Sequence, residues 1–252
     1  MDEKRLELRE FLKDKIRKEV DGTKTAQTLG VPMPPITKPI PAGTKLIPLP
    51  DWRDDVAEQN VPFSTLVAGR KSIRKYGERA LTLGELSYLC WATQGVRRDR
   101  GDGSVWRNVP SAGNRHALET YIAVLHVQGL EPGIYLYRPQ EHALAFCHQN
   151  DNYVNDLNEG VRRQIFVAKA PVTFIWTAIP WRMEWRYSVA SVKVIALDAG
   201  HVCQNLYMAA QSIDLGVCAI AAYDQKIMDD FIKVDGVDEF TVYLASVGHL
   251  NT

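Results

Sequence analysis

Between Glu119 and Cys147 three short apolar runs follow one another with little but turn chemistry between them. Glu119 to Val127 reads as a strand. Gly129-Leu130-Glu131-Pro132-Gly133 reads as a turn, Ile134 to Tyr137 as the returning strand, and Leu144 to Cys147 as a short third. Further on, Val172 to Ile179 is a buried strand, apolar on both faces, with Val217 to Ala221 and Phe240 to Val247 as the last two. No regular β-α-β beat connects them. The expected fold class is therefore α+β, a largely antiparallel sheet packed by helices.

The helices fall between and around these runs. Arg5 to Val20 carries Leu8, Leu12 and Ile16 at i+4 with Phe11 beside them, which predicts an amphipathic helix ended by Gly22. Phe63 to Gly69 predicts a short helix. Thr82 and Glu85 form a capping box, after which Leu86, Leu89, Cys90 and Thr93 face the core until Gly95. Helices are also expected over Asp151 to Phe166, Ala196 to Ile213 and Asp224 to Phe231. In the long one Val202, Leu206, Ala209, Ala210 and Ile213 share the apolar side. Residues 97–108, with Arg97, Arg98, Arg100 and Arg107, read as a polar loop.

Seven of the 13 prolines lie between Pro32 and Pro50, so that stretch is expected to be extended and irregular. It is either an arm that wraps a partner or an ordinary surface loop. The chain divides into residues 1–62, an N-terminal helix and Pro-rich arm, and residues 63–252, the main domain.

Lys+Arg and Asp+Glu both number 30, and nothing in that balance points to nucleic acid or membrane. Cys90, Cys147, Cys203 and Cys218 form no C-x-x-C pair and sit in apolar surroundings, which predicts buried, reduced thiols. The charged start Met1-Asp2-Glu3-Lys4-Arg5 is no signal peptide, and the expected location is cytoplasmic. Gly101-Asp102-Gly103 lacks the third glycine of a dinucleotide fingerprint. No phosphate loop and no nucleophile elbow occur. His116 and Glu119, three apart, could share a helical face, but two ligands hold no metal, and a solvated or core-rim pair is expected. Cofactor-borne redox chemistry is the class that survives.

Arg70-Lys71-Ser72-Ile73-Arg74 gathers three cations and a hydroxyl at the end of a short helix. Pro110-Ser111-Ala112-Gly113-Asn114 is a tight turn with exposed backbone. Together they suit a ligand that is anionic at one end and flat and polar at the other, the shape of flavin mononucleotide. Each element has a plainer reading. Arg70 and Arg74 could be a solvated helical edge, and Ser111 could cap a helix.

These elements, in order, resemble the signature of the nitroreductase-like flavoenzymes, over about residues 60–248. The set is Arg70, Ser72 and Arg74; the helix Leu81 to Gly95; Pro110-Ser111-Ala112-Gly113; Asp198-Ala199-Gly200-His201; Gln204-Asn205-Leu206; and Leu215-Gly216-Val217. The Pro-Ser-Ala-Gly element and the late Ala-Gly-His favour the branch of azoline-oxidising dehydrogenases of peptide-toxin maturation.

The resemblance implies FMN as cofactor and an intertwined homodimer with shared sites. Arg70, Lys71 and Ser72 would hold the phosphate or ribityl end, and Arg74 would lie near N1 and the C2 carbonyl. Pro110, Ser111 and Asn114 would approach from the other subunit. Ala221 and Ala222 would offer backbone amides to N5 and O4. The expected chemistry is hydride transfer at N5 with no obligatory side-chain acid and no metal. NAD(P)H is the expected donor, and a nitro compound, quinone or similar small molecule the acceptor. The alternatives are oxidation of azoline rings in a modified peptide, and flavin binding without turnover.

The chain departs from the pattern twice. Many members carry a basic pair after the last strand, where only His249 stands here, and His116 replaces a frequent glutamine. Arg107, Arg182 or Arg186 are the substitutes considered for the phosphate. Trp181 and Trp185 share a helical face, to be read as packed indoles in preference to an aromatic lid.

Overall fold

The computed structural model describes residues 3–56 and 60–251. The chain opens with α1 (Glu3–Glu10) and two 3-10 turns, Lys15–Glu19 and Gly22–Lys24. Then come β1 (Leu46–Pro48), α2 (Trp52–Asp55), α3 (Phe63–Gly69) and α4 (Leu83–Gln94). β2 (Val96–Asp99) and β3 (Val105–Arg107) form a hairpin of their own. β4 (Leu118–Val124), β5 (Gly133–Arg138) and β6 (Ala143–His148) follow as a meander, then α5 (Tyr153–Gly160) and β7 (Val172–Ala178). The last elements are α6 (Trp181–Tyr187), α7 (Ser191–Gln211), β8 (Leu215–Ile220), α8 (Gln225–Ile232) and β9 (Phe240–His249).

Seven strands make one sheet in the order β1-β6-β5-β4-β7-β9-β8, and every neighbouring pair is antiparallel. β7 is central and buried along its whole length, which is why it is apolar on both faces. Its residues divide by parity. Val172, Phe174 and Trp176 join the core under α4 and α7; Ile175 joins the core under α5 and α8. The α+β reading of the sequence therefore holds, with α7, about 30 Å long at 1.5 Å per residue, lying across one face.

α4 starts as its sequence predicts. The Thr82 hydroxyl accepts from the Glu85 amide at 3.0 Å, and the Glu85 carboxylate accepts from the Thr82 amide at 2.7 Å. Other expectations are corrected. The N-terminal helix stops at Glu10, because its apolar residues find nothing to cover them: Leu8 and Leu12 are 62% and 68% exposed. The supposed loop over 97–108 is the β2–β3 hairpin, concealed by arginines on its exposed rungs. The helix expected to reach Phe166 ends at Gly160, where the close approach of Met228 leaves no room for a Cβ. Cys147 lies exposed on β6, whereas Cys90, Cys203 and Cys218 are buried.

Within this chain the Pro-rich stretch makes extensive contacts of its own. It is a strap bonded to its own sheet. Lacking many amides of its own, it offers carbonyls, and buried arginines take them. Arg107 donates to the Ile36 carbonyl at 3.0 Å, Arg138 donates to that of Lys38, and the Trp185 indole donates to that of Val31 at 2.8 Å. The Lys38 ammonium reaches Glu239 on the sheet's far end.

Among the described residues no helix is long and apolar enough to cross a membrane, and no three His, Cys, Asp or Glu side chains converge on a metal position.

Candidate active site

Arg70 caps α3, and from there the chain turns to run beside β8, the last strand of the sheet. The Ile73 amide donates to the Val217 carbonyl at 2.9 Å, and Ser72 bridges Val217 in parallel. This approach needs a glycine on β8: a Cβ at Gly216 would meet Ile73 at 2.7 Å. Tyr207 of α7 ties the two together. Its hydroxyl accepts from the Ala219 amide at 2.9 Å and shares a hydrogen bond with Ser72 Oγ at 3.0 Å. The Arg70 guanidinium lies over the Tyr207 ring at 5.3 Å, and that of Arg74 over Phe166 at 5.9 Å.

Beyond Ile220, β8 ends and Ala221 and Ala222 are exposed. Their amides make no backbone hydrogen bond among the described residues, while the Ala222 carbonyl accepts from Gln164 at 2.7 Å. One edge thus carries Arg70, Lys71 and Ser72 toward one end, Arg74 further along, and two open amides at the other end. None of the three cations has an ion-pair partner among the described residues.

Pro110, Ser111 and Asn114 lie elsewhere. The turn Ala112–Asn114 sits against the first half of α7, where the Ala112 amide donates to the Asp198 carboxylate at 3.2 Å. Asp198 is buried, which pushes its carboxyl above the ordinary value despite the Ser111 and Ala112 donors. Ser111 caps no helix. Its Oγ accepts from the His116 amide at 2.9 Å. Asn114 Oδ1 accepts from His116 Nε2 at 3.0 Å, and Val105 O accepts from the same nitrogen at 3.2 Å, which puts the proton on Nε2. Gly113 has φ 57°, a conformation that favours glycine, and the ends of the Tyr187 and Arg186 side chains lie against it. Pro110 and Gly113 face outward. Asp198 and Tyr207 are nine residues apart on α7, a separation of about 14 Å. Within one chain the turn and the cationic edge therefore do not meet.

The substitutes considered for the phosphate fare unequally. Arg107 and Arg182 are 3% and 2% exposed and committed to interior partners; burial pulls the Arg107 guanidinium down to about 10. Arg186 is exposed, over Tyr187. His249 faces Glu85 at 3.3 Å. Of the tryptophans, Trp185 is packed as expected, under Arg115 at 4.8 Å, but Trp181 is 48% exposed. His116 and Glu119 are on no helix. They flank the start of β4 and are buried at 4% and 2%.

Sequence reasoning missed a chamber of about 790 Å³ between α6, the first half of α7 and the start of β9. Trp181, Gly200, Ala221, Tyr223, Phe240 and Tyr243 are among its walls. Its lining comes from segments far apart in the chain, and the one local signal was the Trp181 segment.

Comparison with known proteins places this geometry. The profile of the Nitroreductase family matches residues 67–249. A protein of Methanocaldococcus jannaschii designated a nitroreductase is 31% identical over 205 residues, covering 81% of this chain and 96% of its own. A trifolitoxin-processing protein of Rhizobium leguminosarum bv. trifolii is 28% identical over 59% of this chain and 49% of its own. The crystal structure of a nitroreductase-designated protein of Ralstonia eutropha superposes with a TM-score of 0.68 at 24% identity, covering 88% of this chain and 99% of the other. The profile match takes in the cationic edge, the Pro110 turn and the end of β8 together, and the chain belongs to the nitroreductase family.

Proposed function

We propose that the protein is an FMN-dependent oxidoreductase that works as a homodimer and passes hydride from NAD(P)H to a small acceptor such as a nitro compound or quinone. The observation that carries this reading is the edge of β8. Arg70 and Lys71, without carboxylate partners, and the Ser72 hydroxyl lie toward one end, Arg74 follows further along β8, and two open amides lie at the other end. Cations left unpaired next to a hydroxyl suit a phosphate, and open amides suit the acceptor atoms of a flat polar ring. The residues present therefore fit the cofactor.

Bound FMN supplies a two-electron centre that accepts and returns a hydride. The chain's own residues do the rest. Arg70, Lys71 and Ser72 hold the phosphate or ribityl end. Arg74 would lie near the part of the ring that gains negative charge on reduction, where a cation would favour that reduction. The Ala221 and Ala222 amides hold the opposite edge. Pro110, Ser111 and Asn114, too far along α7 to serve the same chain's edge, serve the partner's across a two-fold interface.

The test is an absorption spectrum of the purified protein with FMN, before and after anaerobic NADH and NADPH. A protein-shifted band that bleaches is the expected result. A bound flavin that stays yellow favours the second reading, oxidation of azoline rings in a modified peptide, supported by the similarity to the trifolitoxin-processing protein. No retained flavin overturns both.

A further inference from the structure

We propose that the 790 Å³ cleft is the substrate site and that the flat ring it receives carries no negative charge, being neutral or cationic as the donor's nicotinamide is. This rests on the flavin reading above, because Ala221 belongs both to the cofactor edge and to the chamber wall. The volume is in the range of small-ligand sites, and the cleft opens to solvent.

The walls are apolar and aromatic. Trp181, Tyr223, Phe240 and Tyr243 offer ring faces, and Ile195, Ala196 and Ala199 line the α7 side. Phe11 and Trp181, 44% and 48% exposed, are large apolar groups left open to solvent here. A flat ring covered by these surfaces removes apolar area from water on both sides.

The charge of the lining decides which rings. Glu184 and Asp238 line the chamber, and no Lys, Arg or His does. Neither carboxylate has an ion-pair partner among the described residues, although Lys24 lines the neighbouring cleft together with Glu184. An anion entering loses its hydration and meets like charge; a neutral ring loses little; a cation gains both carboxylates and the ring faces. The cofactor edge and the chamber thus have opposite sign, and the phosphate end is kept from the substrate end.

The experiment compares three nitrobenzenes of one size: 4-nitrobenzamide, 4-nitrobenzylamine as its cation, and 4-nitrobenzoate. Binding to the FMN-loaded protein is measured at equilibrium without electron donor, by tryptophan quenching and by perturbation of the flavin band. The amide and the amine are expected to bind at least about tenfold more tightly than the benzoate, a difference set by charge alone. Glu184→Gln combined with Asp238→Asn should bring the benzoate within about threefold of the amide. Gly200→Phe fills the chamber from α7, where a Cβ meets nothing within 4 Å, and should abolish binding of all three while flavin content stays unchanged. Benzoate binding as tight as the amide in the unmodified protein, or probe binding that survives Gly200→Phe, overturns the proposal. If the protein retains no flavin, the flavin reading fails by itself. The same titrations, followed on the flavin-free chain through Trp181, still decide the chamber's preference.

Discussion

The Arg182 guanidinium and the Glu119 carboxylate meet at 2.5 Å, each side chain 2% exposed, one from α6 and the other from β4. The same carboxylate accepts the Lys38 amide at 2.8 Å, so one buried anion joins a helix, the sheet and the strap. Removing one member leaves the other charged and dry. Glu119→Ala should cost about 3–5 kcal/mol in urea unfolding. Replacing both, Glu119→Leu with Arg182→Met, should recover most of that loss, while leaving the strap more open to protease than in the parent.

His116 makes stability depend on acid. Burial, and then the Arg107 charge, lower its pKa from 6.5 to about 3. The unfolded chain takes up the proton first, so stability falls as pH drops from 6.5 toward 3. At about 1.4 kcal/mol per pH unit the loss by pH 4 is about 3 kcal/mol. Unfolding curves across that window should be flatter for His116→Gln, and equal slopes for the two proteins would show that the ring does not titrate in this way.

Thr82→Ala removes one half of the capping box at the head of α4. The expected loss is about 1 kcal/mol, visible as a lower urea midpoint at constant slope, with FMN affinity unaltered.

Arg70→Ala should weaken FMN retention about 10- to 100-fold, the worth of a charge-assisted bond. Arg74→Ala should slow reduction more than it weakens retention, read by stopped-flow bleaching of the flavin. A sharper check on sharing mixes two damaged chains. One carries Arg70→Ala with Arg74→Ala, and the other carries Ser111 and Asn114 both changed to bulky residues. A mixed dimer regains one intact site and some activity; no recovery after subunit exchange contradicts a site built from two chains.

Gly216→Val pushes a side chain into Ile73 and should lift the segment 72–74 from β8. About 1–3 kcal/mol of stability goes with it, and flavin affinity falls although no cofactor contact was substituted.

The parts of this fold written locally were legible. Phe63–Gly69 is a helix with those bounds, α4 carries both bonds of its cap, and β7 advertises two buried faces by an unbroken apolar run. The cationic segment Arg70 to Arg74 was legible as a segment because it is contiguous; its role toward a cofactor is the proposal made above. What resisted reading was long-range. Arginine is ordinarily a surface residue, and nothing within a few positions of Arg107, Arg115 or Arg182 announces that strap carbonyls and a buried glutamate await them. The β2–β3 hairpin was hidden by charge, and α1 was overread because its periodicity implies a partner surface that this chain does not supply.

The strap sets an order on assembly. Its carbonyls at Ile36, Lys38 and Val31 are bonded by residues 71, 100 and 154 positions further along. Residues 31–38 leave the ribosome early but can dock only after β4 and α6 exist to receive them, so contacts of high sequence separation must close last. Until then the arginines that bond the strap stay wet, and the proline content helps by keeping the waiting segment extended and poor in donors that could pair with the wrong strand. A stretch that reads in the sequence as extended and irregular is thereby expected to be among the last parts to dock.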